Sequence, residues 1–429
     1  MPAGESMRKR TFMLVALSLI LALAFGSASL AASKVTITFW HAMGAQLGAT
    51  LEGLVKDFNA THPDIIVKAE YQGNYGALQQ KLTGALVAQK PPTVSQVYGN
   101  WAAEFITSNA LVPIENFVSG PNGMSKLEVD DIYEGLRKAS MINGKWYTMP
   151  FNKSVYVLVY NKTAFDEAGI SAPPATWQDL LTIANKLTKK NDKGEFIRSG
   201  IGLRDNIDIF ACFYFASGGD WLDKDGKLAI GGATGQKALQ FMVDMLNKYK
   251  VAAYMSGYWD ADFGAGKTAM YLTSSPGLSY TESSVAGKFE WGVAPLPASD
   301  LKYRATPVAG TDLAIYAKST KAEQDAAWTF VKWMVEPMQT AKWAIGTSYI
   351  PVRKSALYLS IMKEHFAKNP KAEQSLKQLN YIKYDPNLAA WNGIRGDIST
   401  AVQKAFLAKA TIAEALAEAV TIGNKKLGF

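Results

Sequence analysis

The side chains able to do chemistry are few and far apart. Histidine occurs three times, at His41, His62 and His365, with no H-E-x-x-H or other ligand-like spacing. Neither a zinc site nor a histidine-based catalytic centre is expected from them. His62, between Thr61 and Pro63, reads as a turn residue. His41 closes the first strand, where a ligand could pass, although a satisfied loop histidine is the commoner case. The segment Gly264-Ala265-Gly266-Lys267-Thr268 ends like a phosphate-cradling loop, but Ala261 stands where its first glycine should be. The preceding Tyr258-Trp259-Asp260-Ala261-Asp262 is a poor strand, so the segment reads as an ordinary turn. Gly231-Gly232-Ala233-Thr234-Gly235 lacks the lysine and reads as a turn before a helix. No G-x-S-x-G elbow and no G-x-G-x-x-G following a strand occurs. The acid pairs Asp130-Asp131 and Asp260/Asp262 read as surface carboxylates. Cys212, the sole cysteine, sits in the apolar run 209–215 and is expected to pack as a small hydrophobe. The aromatic residues are more suggestive. There are 11 Trp and 19 Tyr, and Trp40, Tyr75, Tyr98, Trp101 and Trp391 lie near strand ends or beside Gly and Asn. Such side chains suit flat walls against which a polar organic ligand stacks. The pattern points to binding, with no metal or cofactor.

The elements that would position these residues alternate in type. Val35 to Trp40 alternates and is β-branched, hence a strand. Leu47, Leu51, Leu54, Val55 and Phe58 recur at helical spacing and stop before Pro63. A strand follows at Ile65-Ile66-Val67, a helix from Tyr75 to Gln89, and a strand from Thr93 to Tyr98. That alternation predicts an α/β layer structure with largely parallel strands. Val155 to Tyr160 reads as a further strand. Thr176 is the expected N-cap of a helix whose inward stripe is Leu180, Ile183, Ala184 and Leu187. Leu239, Met242, Val243 and Leu246 mark another helix, and Trp291 to Pro297 reads as an extended segment because each proline biases its predecessor away from helix. A helix from Lys321 to Glu336 and a helical tail, with Thr411 and Glu414 as a capping box, complete the pattern.

The chain's first residues carry an address. Arg8, Lys9 and Arg10 precede an apolar run from Phe12 to Phe25, then small residues to Ala32. This is the layout of a secretory signal peptide over 1–31, and the run is shorter than the roughly 20 residues a bilayer requires. No Cys follows to carry a lipid, so release into the periplasm as a soluble protein is expected. Cleavage would leave a net charge of +6 (42 basic against 36 acidic residues). So small an excess, scattered over the chain, gives no footprint for nucleic acid. About 400 residues exceed one core, so two domains are expected.

Taken in order, the segments Thr38-Phe39-Trp40-His41, Phe58-Asn59-Ala60, Gly73-Asn74-Tyr75, Pro150-Phe151-Asn152, Tyr160-Asn161-Lys162, Thr176-Trp177, Gly266-Lys267-Thr268-Ala269-Met270 and Thr347-Ser348-Tyr349-Ile350-Pro351 resemble the extracellular solute-binding proteins of ABC importers. The likeness is to the carbohydrate-type group that includes maltose-binding proteins, and it covers the whole mature chain. It implies a type II, two-lobe α/β fold with a ligand between the lobes. The first lobe would be 32–157 plus 294–336, and the second 158–293 plus 337–429. Hinges would fall at Val157 to Tyr160, at Trp291 to Pro297 and near Pro337. The implied partners are a small-molecule ligand and an inner-membrane ABC permease, with a monomeric, non-enzymatic receptor between them. Within the family the chain is most similar to the branch that binds sn-glycerol 3-phosphate. That similarity carries ligand contacts onto Tyr75, Ser154, Trp177, Ser274, Gly310, Tyr349 and Arg395. The set suits a phosphomonoester: an arginine fork on two phosphate oxygens, hydroxyls on the rest, and a glycine that admits backbone N–H. One departure stands out. Gly99 occupies a position where that branch has an acidic residue, which removes a hydroxyl acceptor and opens space. A glycerophosphodiester, or a sugar or oligosaccharide, therefore stays open as the ligand, and a secreted carbohydrate-active or phosphodiester-cleaving enzyme is the alternative of another class.

Overall fold

The computed structural model describes residues 34–429; the expected leader lies outside them. Its first elements follow the predicted alternation: β1 (Val35–His41), α1 (Ala45–Thr61), β2 (Ile65–Tyr71), α2 (Tyr75–Val87), β3 (Val94–Val97) and α3 (Gly99–Thr107). β1 runs parallel to both β2 and β3, because each intervening helix returns the chain to start the next strand in the same direction. β4 (Met149–Asn161) begins well before Val155, where the apolar pattern starts, and nearly all of it is buried. α4 (Trp177–Leu187), β5 (Ile201–Arg204), α5 (Ile207–Phe215), α6 (Ala233–Asn247), β6 (Ala252–Met255), β7 (Met270–Ser274), α7 (Gly277–Val285) and β8 (Trp291–Ala294) follow. The chain then forms β9 (Thr306–Tyr316), α8 (Lys321–Met334), α9 (Pro337–Thr347), α10 (Trp391–Phe406) and α11 (Ile412–Leu427). Thr176 and Thr411 are the N-caps of α4 and α11, each in a reciprocal capping box with Asp179 or Glu414. Each such cap contributes about 1 kcal/mol. Among the described residues no helix is long and apolar enough to cross a membrane.

One mixed sheet of 11 strands runs through the molecule in the order β6-β5-β7-β4-β9-β3-β1-β2, with β8 added beside β4. Two main cores flank its halves. The first holds Phe39, Phe58, Phe151, Leu313, Trp328 and Phe330; the second holds Leu158, Phe165, Phe210, Trp221, Met242 and Trp391. Trp343, Tyr349, Ile350 and Val352 belong to the first core, so the chain stays there well past Pro337.

β4 passes from one core to the other between Val155 and Tyr156. Its first half pairs with β9, its second half with β7 and β8. Three passages are tied together at Tyr156. Thr306 Oγ1 accepts from Tyr156 N (3.0 Å) and donates to Tyr156 O (2.9 Å). Gln378 Nε2 donates to the same carbonyl (2.8 Å), while Gln378 Oε1 accepts from Leu296 N (2.9 Å). An amide bonded through both its nitrogen and its oxygen at this depth ties the crossing strands to one another.

Cys212 is buried in α5, its Sγ donating to Asp208 O, and burial pushes its thiol well up. It packs as a small hydrophobe, as expected. Residues 264–268 form a turn, with Lys267 paired to Asp262.

Candidate ligand cleft between the two cores

The wall built on the first core is a chain of hydrogen bonds whose direction is set at one end. Ala42 N donates to Gln96 Oε1 (2.8 Å), which leaves Gln96 Nε2 to donate to Asn152 Oδ1 (2.9 Å). Thr311 Oγ1 also donates to Asn152 Oδ1. Asn152 Nδ2 must then be the donor to Tyr75 Oη (2.8 Å). Accepting from Asn152 makes the Tyr75 hydroxyl the stronger donor of the two phenols, which turns its proton to Tyr349 Oη (3.2 Å). The hydroxyl proton of Tyr349 is what remains for a ligand.

Local sequence places both tyrosines. Gly73 takes φ +95°, and Asn74 caps α2 by accepting from Ala77 N (3.0 Å), so Tyr75 is the first helical residue. Ser348, in the left-handed region at φ +61°, turns the chain after α9. Ile350 N then donates to Lys153 O (2.9 Å) on β4. Tyr349 stacks on Trp343 at 5.7 Å between centroids, and Trp343 stacks on Phe151 at 5.0 Å. Tyr98 meets Tyr75 edge-on at 5.1 Å and Trp101 at 4.9 Å. Burial, followed by repulsion between neighbouring phenols, raises the Tyr75 and Tyr98 pKa values. These hydroxyls therefore remain neutral donors and acceptors at physiological pH.

Gly310 and Ser154 lie on the crossing strands beside this relay. Gly310 has φ +91°, and a Cβ there would fall 1.9 Å from Asn152 O, so only glycine fits so close to β4. Ser154, paired with Ala309, shares the Asn152 face of β4. Between them Lys153 forms a buried ion pair with Asp312 (2.5 Å), whose other oxygen accepts from Thr148 Oγ1 (2.6 Å). Ser274 ends β7 opposite Tyr156. Its neighbour Ser275 is fully buried, with no partner for its Oγ.

The wall on the second core is charged. Arg395, in the second turn of α10, donates to Asp208 Oδ1 through Nη2 (2.5 Å) and to Asp385 Oδ2 through Nη1. Asp385 also accepts from Trp221 Nε1 (2.9 Å). Burial works against the Arg395 charge, but Asp385 and Asp208 outweigh it and hold the pKa above the ordinary arginine range. α10, which carries Arg395, contacts α3, the helix that Tyr98 precedes, and the Arg395 charge opposes the rise of the Tyr98 pKa.

Trp177 is set by packing. It begins α4 inside the second core, stacked on Phe241 at 4.6 Å and edge-on to Phe213 at 5.8 Å, and is only 5% exposed. The structure thus gathers Tyr75 and Tyr349 through Asn152, sets Gly310 and Ser154 on the strands beside them, and brings Arg395 across from Tyr98.

The space left by Gly99 is filled. A Cβ on Gly99 would lie 1.9 Å from Asn387 Oδ1. Asn387 enters from the segment before α10, whose Leu388 and Ala390 pack on the second core. Its Nδ2 donates to Ala139 O (2.7 Å) and Met141 O (2.9 Å). An amide from the second wall therefore takes the place of a side chain on the first and joins the two. Gln96, Asn152, Asp208, Asp385 and Asn387 were not singled out from the sequence, since each acts through a partner distant along the chain.

Residues 53–374 match the family model described as bacterial extracellular solute-binding protein. The chain belongs to that family. It is 29% identical over 427 residues to the sn-glycerol-3-phosphate-binding periplasmic protein UgpB of Escherichia coli strain K12, covering 95% of this chain and 96% of the relative. The Shigella dysenteriae protein of the same name is 29% identical over 428 residues, with the same coverage. Among solved structures, UgpB from Mycobacterium tuberculosis in complex with glycerophosphocholine superposes with a TM-score of 0.80 at 25% identity, covering 92% of this chain and 98% of that one. The GacH receptor of Streptomyces glaucescens has the same fold, with a TM-score of 0.79 at 24% identity, covering 92% and 99%. This solute-binding protein is the periplasmic component of an ABC importer, with the mixed α/β architecture of that family.

Proposed function

We propose that the cleft captures a small polyhydroxylated solute, a saccharide or polyol, by hydroxyl recognition and hands it unchanged to the permease. One observation carries the choice of ligand: Arg395 is held between Asp208 and Asp385. Two carboxylates around one guanidinium leave a net negative charge, so a phosphate dianion would meet repulsion where an unpaired arginine fork would attract it. Hydroxyl groups suit the same trio, since the carboxylates accept and the remaining guanidinium N–H groups donate. The opposite wall is neutral and offers hydroxyls and aromatic faces, which stack on sugar rings. Ser154, Ser274 and Gly310 lie along the edges of this volume. Trp177 acts through the packing of the second core. The ligand is bound by a single chain acting as a monomer, in lobes divided near Tyr156, Leu296 and Gln378.

A second reading has a specific support. A glycerophosphodiester carries one negative charge, and a choline cation on it would find both carboxylates and tyrosine faces. The relative solved with glycerophosphocholine makes this the variant to test beside sugars. Titration calorimetry with maltose, maltotriose, glycerol, glycerophosphocholine and glycerol 3-phosphate separates the cases. Binding of a neutral polyol or saccharide through its hydroxyl groups is expected. Binding of glycerol 3-phosphate with no neutral polyol or saccharide bound at all would overturn the reading. Chromatography of the ligand after prolonged incubation is expected to return it unaltered.

A further inference from the structure

Arg204 differs from Arg395 in that it pairs with no carboxylate among the described residues. Its guanidinium lies under the ring of Tyr258 at 4.2 Å, and its Nε is buried without a partner. Stacking occupies the face of the guanidinium and leaves its N–H edge free for an in-plane contact.

Its place in the sheet points the same way. β5 and β7 run parallel, with Gly202 opposite Tyr271. Arg204 therefore reaches the C-terminal edge of the sheet together with Ser274, the edge where open α/β sheets receive ligands. The first turn of α5, which follows, supplies Asp208, the partner of Arg395. Tyr258 is 70% exposed, so the stacked pair opens to solvent at this edge. Trp259, next to it, is anchored by an Nε1 bond to Leu203 O (2.9 Å), which fixes Tyr258 over the strand end. The adjacent Asp205 does not compensate Arg204. It is directed to Ser256 Oγ (3.0 Å) and Gln403 Nε2 (3.1 Å), as alternation along a strand requires.

We infer that Arg204, with Tyr258 stacked on it, is an anion subsite beside the hydroxyl-reading trio, and that it takes a carboxylate or phosphate group carried by the solute. The inference rests on the cleft being the solute site. It divides the work between two arginines: Arg395 reads hydroxyls, and Arg204 reads a charge at one end of the ligand. A sugar acid and a sugar phosphate share that chemistry.

The test uses the full mature chain and watches its arginine Nε–Hε resonances by NMR, with Arg204→Gln and Arg395→Gln providing the assignments. Inorganic phosphate and glucuronate are titrated separately at low salt. Either anion is expected to shift the Arg204 resonance while leaving Arg395 nearly still, and Arg204→Gln is expected to weaken binding on the order of tenfold. A response to phosphate alone assigns the subsite to phosphate esters, and a response to glucuronate alone assigns it to sugar acids. No movement of Arg204 with either anion, or movement of Arg395 instead, overturns the inference. These titrations need no saccharide binding, so failure of the hydroxyl reading would show separately in the calorimetry. Tyr258→Leu, distant from the folding core, is expected to weaken anion binding several-fold; wild-type affinity in that variant would remove the stacked ring from the subsite.

Discussion

The two walls of the cleft are built on opposite principles. The first is neutral and closed: from Ala42 N to Tyr349 each acceptor meets a donor, Asn152 Oδ1 two of them, and only the last hydroxyl is left over. The second is charged and open: Arg395 binds two carboxylates yet keeps N–H groups free, at 29% exposure. A neutral relay fixes geometry at small electrostatic cost, whereas ion pairs at a boundary select the charge of what enters. The comparison assigns shape recognition to the first wall and charge selection to the second.

The largest effect tests which residues belong to the second wall at all. Trp177→Ala removes a stacked indole from the second core and is expected to lower unfolding stability by about 3–5 kcal/mol. Denaturant titration measures this, and calorimetry on the folded protein is expected to find ligand affinity nearly unchanged. An affinity loss as large as the stability loss would return Trp177 to the cleft.

Next in size is Arg395→Ala, which leaves Asp208 and Asp385 facing each other. A loss of about 3 kcal/mol is expected, the low end for a broken buried pair because the guanidinium is partly exposed. Ligand binding should disappear with it. Asp385→Asn sharpens the comparison in the opposite sense. It brings the trio to neutrality and is expected to improve affinity for glycerol 3-phosphate. Unchanged or weaker phosphate binding in Asp385→Asn would show that charge selection lies elsewhere.

The first wall has its own titrating neighbour. His41 ends β1 one residue before the relay starts, and burial lowers its pKa from 6.5 to about 4. Because the unfolded chain holds the proton more tightly, folding stability is complete above pH 6.5 and falls as pH drops toward 4. The whole window is worth about 3 kcal/mol. Thermal unfolding followed between pH 7 and 4 should show this slope, and His41→Asn should flatten it. An equal slope in the variant would place the acid sensitivity on other groups.

Local rules carried much of the fold, and the cleft shows where they stop. α1, α2, α4 and α11 were legible because their apolar stripes and caps lie within a few residues. The first half of β4 was not, because Asn152, Lys153 and Ser154 are polar and buried by partners on other strands. Tyr75, Tyr349 and Arg395 were carried by resemblance, but what Arg395 does was not, since Asp208 lies 187 residues away. Trp177 at a helix start reads the same whether it faces a core or a ligand. Gly99 suggested an opening, and only the fold shows Asn387 filling it.

The smallest effects come from the relay, and its direction orders them. Tyr75→Phe removes the acceptor of Asn152 Nδ2, which then lies buried without that partner, as well as the donor to Tyr349. Tyr349→Phe removes only the terminal acceptor, and the Tyr75 proton can turn to a ligand or water. Tyr75→Phe should therefore cost about 1–2 kcal/mol of stability and Tyr349→Phe about half of that. Ligand affinity should rank the other way, because the proton offered to the ligand is that of Tyr349. Equal costs in both measurements would mean that the relay has no fixed polarity. The first wall would then be an adaptable surface, and the contrast with the charged wall would reduce to charge alone.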